Sequence, residues 1–155
     1  MSQVTDVDDT GRDLSERSPE LSSEPSPHGP SRVLVVDDSP EVRDLLVVNL
    51  ELEGFEVREA HDGQECLEVV GSWRPHVITM DVVMPRLDGL GALRALRADA
   101  ATAGIPVVLV SGRSLPADRA RGLDLGADAY LTKPFEPAEL VTVVSGLALH
   151  GRRYP

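Results

Sequence analysis

Four short, largely apolar stretches in this chain each lead to a group capable of chemistry. The run 33–36 ends on the paired carboxylates Asp37 and Asp38, and 77–80 ends on the lone carboxylate Asp81. The run 105–110 ends on the hydroxyl of Ser111, and 128–131 leads through Thr132 to the ammonium of Lys133. Three carboxylates drawn together raise one another's pKa and call for a cation. Mg²⁺ suits them, because it takes a few carboxylates, water and a phosphate oxygen. A carboxylate can also attack phosphorus to give an aspartyl phosphate, with Ser111 donating to one phosphoryl oxygen and Lys133 neutralising another. The set fits metal-assisted phosphoryl transfer onto a carboxylate. Of the fifteen basic residues, fourteen are arginine and Lys133 is the one lysine, so a compact point charge stands where a planar fork would crowd three acids. Singly, each group has a plainer reading as a helix-capping acid, a strand-end acid or a solvated loop lysine. The combination carries the chemistry.

Short apolar runs bounded by turn signals are expected to be buried strands. After the first run, Ser39-Pro40-Glu41 supplies an N-cap, a first-turn proline and a first-turn acid. Val42, Leu45, Leu46 and Leu50 then give a helix its apolar face, and Gly54 stops it. The segment 55–60 alternates as a half-exposed strand, and Asp62-Gly63 opens a second helix. A third helix starts near Asp88, with Leu90, Leu93 and Leu96 inward and Arg94 and Arg97 outward; two more cover about 115–124 and 136–149. Five strands alternating with five helices predict an α/β fold, a doubly wound parallel sheet covered on both faces. Such sheets bind ligands outside the carboxyl ends of their strands. All five groups would then meet along one edge.

The chain has 155 residues, enough for one domain and a tail. Residues 1–31 hold seven acids against two arginines, are rich in Ser and Pro, and lack apolar periodicity, so a disordered acidic tail is expected there. Hydrophobic content is 41% with only 3% aromatic, so the core must be built from Val, Leu and Ala. A net charge of −11 without a basic block disfavours direct nucleic-acid binding. No apolar run is long enough for a membrane span, and the single Cys66 suits a reducing compartment; together these predict a cytoplasmic protein. Cys66 reads as a core filler, Trp73 as packing at a helix end, Asp88-Gly89 as a helix start and Arg152-Arg153 as a frayed terminus. His28, His61, His76 and His150 share no metal-ligand spacing.

Residues 32–150 resemble the receiver domain of bacterial two-component response regulators. The resemblance lies in V-V-D-D-S-P around Asp37 and Asp38, M-D-V-V-M-P-R-L-D-G around Asp81, V-L-V-S-G ending near Ser111, and A-Y-L-T-K-P-F containing Lys133. It implies a flavodoxin-like (βα)5 fold with strand order 2-1-3-4-5, followed by a short tail at 151–155. It also implies Asp81 as phosphoacceptor, and Mg²⁺ held by Asp38, Asp81 and the backbone carbonyl of Val83, with Asp37 acting through water. Ser111 and Lys133 would contact the phosphoryl group. Ser111 and Tyr130 would form the switch, and Lys133-Pro134 would be a cis peptide. The implied partners are a histidine kinase or histidine phosphotransfer protein and a downstream protein engaging the fourth helix, fifth strand and fifth helix. Because few residues follow the fifth helix, a stand-alone response regulator is expected. The alternatives are a phosphorelay intermediate passing the group to another histidine, and a Mg²⁺-dependent phosphatase working through an aspartyl phosphate.

Overall fold

Strands β1 (Arg32–Val36), β2 (Glu56–Ala60), β3 (Val77–Asp81), β4 (Val107–Ser111) and β5 (Ala129–Thr132) alternate with helices α1 (Pro40–Leu52), α2 (Gly63–Trp73), α3 (Gly89–Ala98), α4 (Pro116–Asp124) and α5 (Pro137–His150). This is a computed structural model describing residues 29–152. The tail expected over 1–31 therefore falls almost wholly outside the described residues. All neighbouring strands pair in parallel, in the order β2-β1-β3-β4-β5. That is the doubly wound 2-1-3-4-5 arrangement, and its direction of winding reverses between β1 and β3, where the crevice of such a sheet opens.

The three central strands β1, β3 and β4 are mostly apolar because both of their faces are covered, whereas the edge strand β2 exposes Glu56, Arg58 and Glu59. Successive side chains divide between the faces with period two. Leu34, Val36, Ile78, Met80 and Leu109 pack with Cys66, Val70, Leu93 and Leu96 of α2 and α3. Val33, Val35, Val77, Val108 and Val110 pack with Leu46 and Leu50 of α1 and Leu140, Val144 and Leu147 of α5. Cys66 is fully buried, and burial pushes its thiol up to about 12, so it is an unreactive core filler.

Local signals set the helix starts. Ser39 caps α1 by accepting from the Val42 N–H, and Pro40 fills the first turn. Asp62 caps α2 through the Glu65 N–H at 2.9 Å, and Asp88 caps α3 through the Gly91 N–H at 2.8 Å. Trp73, the last residue of α2, lies under the guanidinium groups of Arg58 and Arg32, at 5.0 and 5.8 Å from its ring centre.

Three expectations about side-chain placement need correction. Leu45 is 45% exposed, so the buried stripe of α1 is narrower than the periodicity suggests. Arg97 does not point outward: its guanidinium reaches Asp128 Oδ2 at 3.1 Å and the carbonyls of Ala103, Ile105 and Gly126. Arg152 is not frayed, since it meets the other Asp128 oxygen at 3.1 Å and shares the Ala103 and Gly126 carbonyls. The cause is common to both. Asp128 is buried at the foot of β5 beside loop carbonyls that need donors, and a guanidinium supplies up to five. Residues 153–155 lie outside the described part of the chain.

Candidate functional site

The carboxyl ends of β1, β3, β4 and β5 bring the singled-out groups to one edge. The Asp37 N–H continues the ladder by donating to the Ala60 carbonyl at 3.1 Å, which fixes the acid at the end of β1. Its carboxylate is buried, taking the Ser39 N–H at 2.9 Å on one oxygen and Lys133 Nζ at 3.2 Å on the other. Arg43, buried on the first turns of α1, donates to the Asp37 carbonyl at 2.7 Å and pairs with Glu59. Asp38 is exposed. Asp81 ends β3 nearly buried, with Lys133 Nζ 3.5 Å from one oxygen and the Val83 N–H 3.4 Å from the other.

Oxygens of Asp37, Asp38 and Asp81 lie within 4.8 Å of one another, one exposed acid and two buried ones. Burial, and then the neighbouring charge of Asp37, push the Asp81 carboxyl above the usual range; Lys133 and the Val83 N–H pull the other way without cancelling them. One ammonium thus faces two buried carboxylates, with a third at the rim. An all-oxygen acidic cluster open on one side fits a hard divalent cation that keeps part of its water.

Ser111 is fully buried at the end of β4. Its hydroxyl accepts the Arg113 N–H at 3.0 Å, and its carbonyl accepts the Lys133 N–H at 2.8 Å, tying the two phosphoryl-binding candidates together through the backbone. The Lys133-Pro134 peptide is cis, as the resemblance implies. Tyr130 is buried, its hydroxyl donating to the Arg113 carbonyl at 2.8 Å while the Arg119 guanidinium donates to the Tyr130 carbonyl at 2.8 Å. The ring lies against α4 where Gly122 leaves room: a side chain at 122 would meet Leu109 Cδ1 at 2.9 Å and Tyr130 Cδ2 at 3.0 Å.

The loop after Asp81 is closed tightly. The Gly89 N–H donates to the Val82 carbonyl at 2.9 Å, and a Cβ at 89 would run into the Asp81 carbonyl and lie 2.9 Å from Val82 Cα. Both obstacles are backbone at the end of β3 and the residue just after it, which cannot rotate aside. Gly89→Ala is therefore expected to lose about 1–3 kcal/mol or more, the range for forcing extra atoms into a filled space. Urea denaturation would show it, and an unchanged midpoint would mean that the loop has slack.

Sequence reasoning placed Asp37, Asp38, Asp81, Ser111 and Lys133 on this edge, and there they are found. It missed Arg43, which periodicity assigns to the polar face of α1. It also missed the ion pair between Asp62 and Arg86, whose partners are 24 residues apart. Nothing in the spacing of those residues signals these contacts.

The family described as the response regulator receiver domain matches residues 33–145. Among curated proteins, the response regulator MprA of Mycobacterium ulcerans (strain Agy99) is 44% identical over 116 residues, covering 75% of this chain and 49% of that protein. The DNA-binding dual master transcriptional regulator RpaA of Synechocystis is 37% identical over 124 residues, covering 80% of this chain and 52% of the relative. The chain thus spans about half the length of these relatives. Among solved structures, the receiver domain of Francisella response regulator 1452 superposes with a TM-score of 0.73 at 34% identity, covering 77% of this chain and 97% of that one. The chemotaxis response regulator CheY4 of Vibrio cholerae gives a TM-score of 0.72 at 31% identity, covering 76% and 98%.

Proposed function

The chain belongs to the response regulator receiver family, and from that premise we propose that Asp81 accepts a phosphoryl group from a phosphohistidine of a sensor kinase or phosphotransfer protein. The observation that carries the proposal is the convergence of Asp37, Asp38 and Asp81 within 4.8 Å, with Lys133 Nζ reaching two of them. In the step, a carboxylate oxygen of Asp81 bonds to phosphorus as the P–N bond to the donor imidazole breaks, and that electron pair returns to the imidazole nitrogen. Asp38, Asp81 and the carbonyl of Val83 would hold Mg²⁺, with Asp37 acting through water. The cation supplies charge neutralisation between the carboxylates and the incoming phosphoryl oxygens. Ser111 and Lys133 would take two of those oxygens. Ser111 would exchange its present Arg113 N–H contact for the phosphoryl group, and Lys133 would turn from Asp37.

The consequence lies at the surface. Phosphorylation would bias a two-state arrangement of Ser111 and Tyr130, and α4, β5 and α5 would present the result to a downstream partner in the cytoplasm. No helix among the described residues is long and apolar enough to cross a membrane. Turnover of external phosphoesters is not part of the reading; the chain would catalyse only its own phosphorylation and dephosphorylation.

The test is to treat the protein with acetyl phosphate or a phosphorylated histidine kinase, with and without Mg²⁺, and to map the product by mass spectrometry. One Mg²⁺-dependent phosphoryl group per chain, on the peptide containing Asp81, is expected. Labelling elsewhere, or steady turnover of small phosphoesters, would overturn the reading. Passage of the label to a second histidine protein would favour the phosphorelay alternative.

A further inference from the structure

We propose that Asp62 and Arg86 form a clasp that sets the shape of the loop following Asp81, making them positioning residues for the cation rather than ligands to it. The inference rests on the reading of Asp81 as a Mg²⁺-assisted phosphoryl acceptor. Arg86 Nε donates to Asp62 Oδ2 at 2.7 Å and a terminal guanidinium nitrogen to Asp62 Oδ1 at 3.0 Å, two bonds in the fork geometry of an arginine–carboxylate pair. They join the start of α2 to the loop between β3 and α3, a connection no strand pairing provides.

The surrounding backbone is arranged around that connection. Arg86 has φ +63°, in the left-handed region that non-glycine residues seldom adopt, so its direction is imposed by its surroundings. The next residue, Leu87, accepts the Gly63 N–H at 2.9 Å, and position 63 has no space for a side chain because the Leu87 carbonyl occupies it. At the base, the Gly89 N–H closes the loop onto the Val82 carbonyl, and the Val82 N–H donates to Val110 at 3.2 Å. Met84 is buried in the core. Val83, whose carbonyl the proposed site uses, lies 54% exposed between the closed base and the clasped shoulder.

A stabilising role alone does not account for the pair. The Arg86 side chain is 60% exposed, and ion pairs with so open a partner contribute little to stability. What the clasp contributes is position. It holds the far side of a loop whose near side faces the cation, as outer partners of metal ligands do.

Calorimetric titration of the full chain with Mg²⁺, without any phosphodonor, tests this. Asp62→Ser keeps a helix cap for α2 but is too short to reach Arg86. Arg86→Asn tolerates the left-handed backbone but removes the guanidinium. Each variant is expected to bind Mg²⁺ about tenfold more weakly, at the low end of the roughly 10–100-fold typical when an outer partner is removed. The double variant should be no weaker than either single one, because one interaction is lost in all three. Melting temperatures without metal should stay close to that of the wild type. Unchanged Mg²⁺ affinity in the single variants, losses that multiply in the double variant, or a fall in melting temperature with affinity intact would each overturn the clasp. If the wild type binds no Mg²⁺, the reading of the site fails and the clasp with it; if the wild type binds and the variants match it, the clasp alone fails.

Discussion

Asp81→Asn is expected to reduce phosphoryl uptake from acetyl phosphate and Mg²⁺ to background, while unfolding at a higher urea concentration than the wild type in metal-free buffer at neutral pH. The two effects share one cause. The wild-type carboxylate is nearly buried, and burial together with the charge of Asp37 raises its pKa. The folded state therefore holds that proton to higher pH than the unfolded state does. Between the ordinary carboxylate pKa and the raised one, the folded chain binds more protons, and stability declines as pH rises through that window. Asparagine keeps the shape, loses the nucleophilic oxygen anion, and removes this decline. Mg²⁺ should stabilise the wild type by binding the folded form and should do less for the variant. Urea melts across the pH window, with and without Mg²⁺, would separate these effects. A variant that still takes up phosphate would place the acceptor elsewhere, and one less stable than wild type without metal would show that the charge at 81 is already compensated by Lys133.

The parts of the site legible in the sequence are those where hydrophobic pattern and chemistry change together. The strands β1, β3 and β4 are runs dominated by Val, Leu, Ile and Met, broken within only by buried Thr79, and a polar residue stands where each reaches the crevice, so Asp37, Asp81 and Ser111 are placed by the pattern alone. The parts not legible depend on where long side chains go. Arg97 lies next to Leu96 on the polar side of a regular helix, and nothing local indicates that Asp128, 31 residues on, will draw its guanidinium inward. Arg152, Arg43 and Arg86 were missed for the same reason. In a chain with one lysine, arginine does most of the cross-linking between loops, and a guanidinium's partner is set by tertiary structure rather than spacing. The start of β4 was also misjudged. It begins at Val107 rather than Ile105, because Pro106 has no N–H for the ladder and the Ile105 carbonyl is taken by Arg97.

Lys133→Ala has the other large expected effect, and it acts on stability and signalling by the same route. Lys133 Nζ lies 3.2 Å from Asp37 and 3.5 Å from Asp81, with its side chain 26% exposed. Removing it leaves two buried carboxylates facing each other. Without metal the variant should lose about 1–3 kcal/mol, less than the roughly 3–5 kcal/mol for breaking a fully buried pair, because solvent still reaches the ammonium. Mg²⁺ should restore much of that loss by taking over the neutralisation. Phosphorylation should still proceed, since Asp81 and the other two acids of the cluster remain, but its consequence should not follow. On the proposed reading, drawing Lys133 from Asp37 toward a phosphoryl oxygen would pull on the backbone that joins its N–H to the Ser111 carbonyl, and thereby on Tyr130 three residues earlier in the chain. Alanine cannot transmit that pull. Amide exchange before and after acetyl phosphate treatment, compared at equal phosphorylation, would read it directly. Wild type should change protection along β5 and at Arg113, whose carbonyl now holds the Tyr130 hydroxyl, and Lys133→Ala should not. Equal changes in both proteins would mean that Ser111 carries the signal without the lysine.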